Sequence, residues 1–311
     1  MSATPPTVIA QLVDTMRALA GLHPGFRPVH AQGVVCAGTF RGVPEARRVS
    51  RALHLQGQTV PTVIRFSNSS GNPNVHDGVA NARALAVKFQ LPDGKNTDVL
   101  ALSIEGFPAR TPEDFLSFLQ AQLPDPVTGQ PTPDALSRFL DGHPATRAFL
   151  ERLMQKAVPA SYGRATYFAE HAFLFTAADG TSRFGRYHWI PEAGEAYIAP
   201  DDASKRSADF LREELENRLQ KSPVVFRLLL QLADQNDPTD DATALWPADR
   251  PLVELGRLEI VGISPTSAAD ERRLVFDPTN LTDGIDLSAD PIPLARSAAY
   301  SISYDRRSKG E

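Results

Sequence analysis

Two short segments near opposite ends of this 311-residue chain carry side chains whose types and spacing suit peroxide chemistry. Near the end runs Arg296-Ser297-Ala298-Ala299-Tyr300, followed by Tyr304-Asp305-Arg306-Arg307. On a helix, residues four apart share a face about one turn from each other, which puts Arg296 beside the Tyr300 phenol. A free phenol titrates near pH ~10 and is a poor anionic ligand at neutrality. Ferric iron and a guanidinium both favour its ionised form, and tyrosine is one of the side chains that hold haem iron. Near the start runs Arg27-Pro28-Val29-His30-Ala31-Gln32-Gly33. A neutral imidazole there can take a proton from peroxide and return it to the leaving oxygen. Each feature also has a plainer reading: a half-buried tyrosine bonded to a surface arginine, and a histidine packed ahead of a strand.

Haem carries two propionates, and arginine forks match carboxylates well. Arg27, Arg65 and Arg307, with Tyr304, flank the implicated segments and are the candidates to hold them. Ser67 is a candidate to orient the His30 ring through its second nitrogen. His76, Asp77 and His188 lack metal-ligand spacing. Cys36, the only cysteine, lies in the apolar run Val34-Val35-Cys36-Ala37, which suits an inert buried thiol.

The elements that position these residues follow from patterning. Val8, Ile9, Leu12, Val13, Met16 and Leu19 recur at helical spacing, so residues 1–21 read as an amphipathic helix and not a signal peptide. Strand-like runs follow at Gly33–Val43, Thr62–Ser67, Ala84–Leu91 and Asp98–Ile104, separated by turn residues. A helix is expected after Thr111, with Pro112 in its first turn, and more helix over Pro133–Ala157, broken near Gly142-His143-Pro144. Ala165–Thr176 and Ser182–Ile190 read as a hairpin around Asp179-Gly180. Ser204–Leu219 reads as helix, Val224–Leu232 and Leu252–Ile263 as strands, and Asp277–Pro293 as mostly loop before a last short helix near Ile292.

Composition bounds the rest. The net charge of −5 argues against a general nucleic-acid or membrane-surface binder. A single cysteine rules out an intrachain disulfide and a thiolate metal cluster. No apolar run of about 18–20 residues offers a membrane span, so a soluble, cytoplasmic protein is expected. With 42% hydrophobic residues, the chain reads as one α+β domain around an antiparallel sheet or barrel, residues 1–311 with a core over 22–308.

Several segments, in order, resemble the small catalase-related peroxidases of the catalase superfamily. Arg27-x-x-His30-Ala31-x-Gly33 resembles the segment of the distal histidine, and Arg65-Phe66-Ser67 the one carrying its serine partner. Arg83-Ala84-Leu85-Ala86-Val87-Lys88-Phe89 is similar to the family's Arg-Gly-Phe-Ala-Val-Lys-Phe strand. Trp246-Pro247 with Pro251-Leu252 and Gly256, then Phe276-Asp277-Pro278-x-Asn280 and Gly284-Ile285, lead to Arg296-x-x-x-Tyr300 at the family's spacing. The similarity runs from about residue 20 to 308. It implies an eight-stranded antiparallel barrel with surrounding helices and a buried haem b. It also implies Tyr300 as iron ligand below the haem and His30 above it, with Val29, Phe107 and Phe276 against the cofactor.

The departures from the family pattern carry expectations too. The chain lacks the long arm and the region after the proximal tyrosine that typical catalases carry, which leaves assembly into a homo-oligomer open. No asparagine appears in Leu100–Pro108, and its place falls to Ser103 or Glu105; a carboxylate at Glu105 would be a second acid–base group, or point away from the site. Tyr304 stands where long catalases have a histidine near a propionate. The resemblance therefore implies a haem peroxidase that reduces hydrogen peroxide or organic hydroperoxides with a small-molecule electron donor, and catalase activity that is weak at most. True catalase, a fatty-acid hydroperoxide dehydratase or isomerase, and a non-enzymatic haem carrier are the alternatives.

Overall fold

The structure, a computed structural model, describes residues 7–125, 127–130 and 132–310. Eight strands close into an antiparallel barrel. In chain order they are β1 (Gly33–Gly42), β2 (Thr59–Asn68), β3 (Arg83–Gln90), β4 (Asn96–Leu102), β5 (Tyr167–Phe168), β7 (Ser182–Pro191), β8 (Val224–Leu232) and β9 (Leu252–Ile263). The ring closes where β8 pairs with β7. The short β6 (Phe173–Thr176) continues from the other half of β7, and β10 (Ile285–Leu287) adds to it.

Period-two alternation decides which residues fill the barrel. Val60, Ile64 and Phe66 of β2, Leu85, Val87 and Phe89 of β3, and Phe226, Leu228 and Leu230 of β8 are fully buried in one core with Phe40 and Trp189. Phe40 meets Phe89 edge-on at 5.0 Å, and Trp189 stacks on Phe89 at 6.4 Å. The same alternation sends Arg65 and Ser67 to the outer face of β2. Register then sets Arg65 beside Ala86 and Ser67 beside Ala84, with Leu100 and Leu102 next on β4. Two alanines in the middle strand leave this outer wall shallow.

The helices among the described residues are α1 (Val8–Ala20), α2 (Pro112–Gln120), α3 (Ala135–Gly142), α4 (Pro144–Met154), α5 (Pro200–Ala203), α6 (Phe210–Leu219), α7 (Ser267–Arg273) and α8 (Ile292–Ser308), and α1, α2, α4 and α8 lie over that wall. Thr111 caps α2 as the sequence suggests, its hydroxyl accepting from the Asp114 N–H at 3.1 Å. Of the helix expected over residues 1–21, the described part is α1, and residues 1–6 lie outside the described residues.

Five differences from the sequence expectations stand out. The strand expected over Ala165–Thr176 splits into β5 and β6, because Ala169–Ala172 leave the ladder. The helix expected from Ser204 starts only at Phe210. α7 is a helix that patterning missed, and β10 lies within the expected loop. The last helix is not short; it runs for 17 residues, with the cationic Arg306 and Arg307 in its final turn, where the helix dipole favours them.

Candidate haem site

The outer wall of β2–β4 and the helices enclose a cavity of about 300 Å³. One face of α8 lines it through Arg296, Ala299, Tyr300, Ser303 and Arg307, the spacing of a single helical stripe. Arg27, Val29, His30, Arg65, Ser67, Phe107 and Phe276 line it as well. Ten of the residues singled out in the sequence thus meet in one place.

Tyr300 accepts a hydrogen bond from Arg296 Nε at 3.0 Å. A guanidinium has donors only, so this contact favours a phenol oxygen rich in negative charge. Arg296 is itself fixed by Glu170 Oε2 at 3.1 Å and His171 Nε2 at 2.8 Å, and His171 Nδ1 meets Asp290 Oδ2 at 2.7 Å. Arg296 keeps its proton more firmly than a free arginine: burial opposes the charge, but Tyr300 and Glu170 together outweigh it. Glu170, His171 and Asp290 escaped the sequence reading. The available signal was a polar pair inside an apolar run, and it coincides with the break between β5 and β6.

His30 Nδ1 lies 3.1 Å from Ser67 Oγ. The residue has φ of 55°, a left-handed backbone that costs a non-glycine residue about 1–3 kcal/mol. Arg65 Nη2 holds the strained peptide by donating to the His30 carbonyl at 2.7 Å, and the Ala31 N–H donates to Ser70 at 2.9 Å. Burial, then the charges of Arg65 and Arg296, lower the His30 pKa to about 3. The ring is therefore neutral at physiological pH.

Burial also lowers His54 to about 3 and His188 to about 4, against an ordinary value of 6.5. His54 is fully buried against Phe89, and neither ring nitrogen has a hydrogen-bond partner among the described residues. With the folded pKa below the unfolded one, the unfolded chain binds more protons once pH falls below 6.5. The stability these histidines permit is complete above that pH and drains away as pH falls toward 4 and 3. Each of His54 and His188 is expected to cost about 1.4 kcal/mol per pH unit in that window. Urea melts between pH 7 and 4 check this, and a flat or rising stability on acidification would contradict it.

Two expected site residues lie elsewhere. Glu105 does not line the cavity; its carboxylate faces the cations of Arg152, Arg186 and Lys156, and burial raises its pKa. Tyr304 is 40% exposed outside the cavity, with the Arg307 guanidinium 4.9 Å from its ring centre. Ser103, the other candidate for the missing asparagine, spends its hydroxyl accepting from the Arg83 N–H at 2.9 Å. The Phe107 ring lies tilted against Phe115 at 5.0 Å and His171 at 6.1 Å, and Phe276 lies under the Lys88 ammonium at 5.4 Å. Cys36 is buried, which pushes its thiol up to about 12. Among the described residues no group of three or more His, Cys, Asp or Glu side chains could hold a metal ion by themselves.

A closed barrel whose outer wall, helices and arginine-backed tyrosine enclose one cavity defines a catalase-type fold. The Catalase family profile matches residues 11–310. The chain is 41% identical over 298 residues to the catalase-related peroxidase of Mycolicibacterium paratuberculosis, covering 96% of this chain and 94% of that one. It is 33% identical over 300 residues to the catalase-related peroxidase of Synechococcus elongatus, covering 96% and 88%. A solved bacterial catalase superposes with a TM-score of 0.81 at 23% identity, covering 99% of this chain and 63% of that one. The chain belongs to the catalase family.

The donor set fits the haem this family implies. Tyr300 presents an oxygen fixed by a cation, and Arg27, Arg65 and Arg307 bring three cations to the same cavity for the carboxylates. The alanines of β3 leave room for a flat ring. Ala86→Leu is expected to fill that room and lower haem uptake roughly tenfold or more, ~1.4 kcal/mol, while the far-ultraviolet circular dichroism stays native. Unchanged uptake would show that the ring does not lie against β3.

Proposed function

We propose that this chain is a cytoplasmic haem b peroxidase that reduces hydrogen peroxide and organic hydroperoxides at the expense of a small-molecule electron donor. The observation that carries the reading is the meeting of His30–Ser67 and Arg296–Tyr300 on the walls of one cavity. The likeness to two catalase-related peroxidases along nearly the whole chain supports it.

Haem, when bound, supplies the redox chemistry that cleaves the peroxide O–O bond. Tyr300 would hold the iron through the oxygen to which Arg296 Nε donates. Arg27, Arg65 and Arg307 would hold the propionates. His30 is a neutral base with Nδ1 engaged by Ser67, so Nε2 is the nitrogen that takes the proton from one peroxide oxygen. The same nitrogen returns that proton to the other oxygen as it leaves. The left-handed backbone at His30, held by Arg65, sets the ring's position without help from substrate.

No asparagine lines the cavity among the described residues, and both sequence candidates for its place are engaged elsewhere. A second peroxide is therefore poorly positioned to act as reductant, and an external donor completes the cycle. Phe107, Phe115, Phe149 and Leu153 give the cavity an apolar wall that accommodates an alkyl hydroperoxide. No helix among the described residues is long and apolar enough to cross a membrane.

The test is to load the protein with haem b and measure donor oxidation and oxygen release in parallel. Donor oxidation with little oxygen is expected. Fast oxygen release without donor would make the protein a true catalase, and rearrangement of a lipid hydroperoxide without donor would make it a dehydratase or isomerase.

A further inference from the structure

The three arginines expected to hold propionates are all tied to one short segment, the end of α7 and the residues after it. Arg65 grips the Glu271 carboxylate with both prongs, Nε to Oε1 at 2.7 Å and Nη2 to Oε2 at 2.6 Å. Arg27 Nη1 reaches Glu271 Oε2 at 3.3 Å and the Glu271 carbonyl at 2.6 Å, and its Nη2 reaches the Leu274 carbonyl at 2.8 Å. Arg307 donates to the carbonyls of Arg272 at 2.9 Å and Leu274 at 2.9 Å. Val275 and Phe276, next in the chain, are cavity wall.

The close approach of Arg65 is built into β1. A Cβ at Gly33 would lie 2.5 Å from Arg65 Nη2 and 2.7 Å from its Cζ, so any larger residue there would displace the guanidinium. The charges are also instructive. Three arginines and one glutamate sum to +2, the complement of a ligand with two carboxylates. Burial and the neighbouring Arg65 lower the Arg27 pKa well below its ordinary value, and Glu271 works against that. Among the described residues Arg65 Nη1 and Arg27 Nε make no hydrogen bond, and they remain for a ligand.

We propose that Glu271 is a positioning residue for cofactor capture: its carboxylate sets the forks of Arg27 and Arg65 so that their remaining donors meet the two carboxylates of a planar dianionic ligand. The inference rests on the haem reading above and adds to it a residue whose carboxylate bonds the arginines expected to hold the ligand. It is not a competitor for the ligand, because a bidentate grip on Arg65 leaves Nη1 to spare.

The experiment compares wild type, Glu271→Gln and Glu271→Asp, each loaded with haem or with haem dimethyl ester, whose propionates are neutral. Loss of cofactor to excess apomyoglobin is followed by absorbance. Wild type is expected to hold haem far longer than its diester. Glu271→Gln, a near-isostere, is expected to release haem about tenfold faster and the diester at an unchanged rate. Glu271→Asp keeps the charge on a shorter stem and is expected to fall between them; it also carries the test if Glu271→Gln does not fold. Equal or slower release of haem from Glu271→Gln would overturn the proposal and make Glu271 a bystander or a competitor. If wild type takes up neither haem nor its diester, the haem reading falls first, and the inference with it.

Discussion

Tyr300→Phe is expected to abolish tight haem binding and peroxide turnover while leaving the fold intact. Altering a residue that only orients a metal ligand costs roughly 10–100-fold in affinity or activity, and removing the ligand itself costs more. The fold survives because Arg296 keeps its other partners, Glu170 and His171. One charge-assisted hydrogen bond is lost, about 1.5–3 kcal/mol of stability. Haem absorbance per mole of purified protein, with circular dichroism as the folding control, checks this. Normal haem content with normal turnover would remove Tyr300 from the iron. Arg296→Leu would then be the second variant to make, since it deprives the tyrosine of its cation and leaves Glu170 unpaired.

His30→Asn is expected to slow the reaction with peroxide by roughly 10²–10⁴-fold with haem content nearly unchanged. Asparagine is the informative replacement, because it tolerates the left-handed backbone that His30 adopts with φ of 55°. It keeps a polar group near Ser67 but cannot shuttle a proton. Ser67→Ala should produce a smaller loss of the same kind, since it frees the ring but leaves its chemistry. Rapid mixing with peroxide separates this step from donor oxidation. An unchanged rate in His30→Asn would mean that the imidazole does not move the proton.

What could be read from the chain and what could not divides along contact distance. Arg296 and Tyr300 were legible because helical spacing alone predicts their bond, and the structure shows it at 3.0 Å. Arg65 and Ser67 were legible as neighbours because two residues apart on a strand share a face. The barrel strands were legible from β-branched and aromatic runs bounded by turn residues, but barrel closure through β7 and β8 was not, since register does not show in composition.

The parts that stayed hidden join distant segments. His171 meets Asp290 and Arg65 meets Glu271 across 119 and 206 residues, and neither pair has a periodic signature. Glu170 and His171 were absorbed into one expected strand because their flanks are apolar. The same two residues break that strand, as buried polar groups at a functional site do when they must face a partner off the sheet. Glu105 is the reverse case. Linear alignment offered it for the asparagine's place, and its carboxylate lies near three cations and outside the cavity lining.

The most direct test of the central claim is the absorption spectrum of the haem-loaded protein during peroxide addition, with and without an electron donor. The expected result is a ferric spectrum typical of tyrosine ligation that changes on peroxide addition and returns to its starting form only when donor is present. A spectrum that peroxide leaves unchanged would contradict the account and make the protein a haem carrier, whatever its fold.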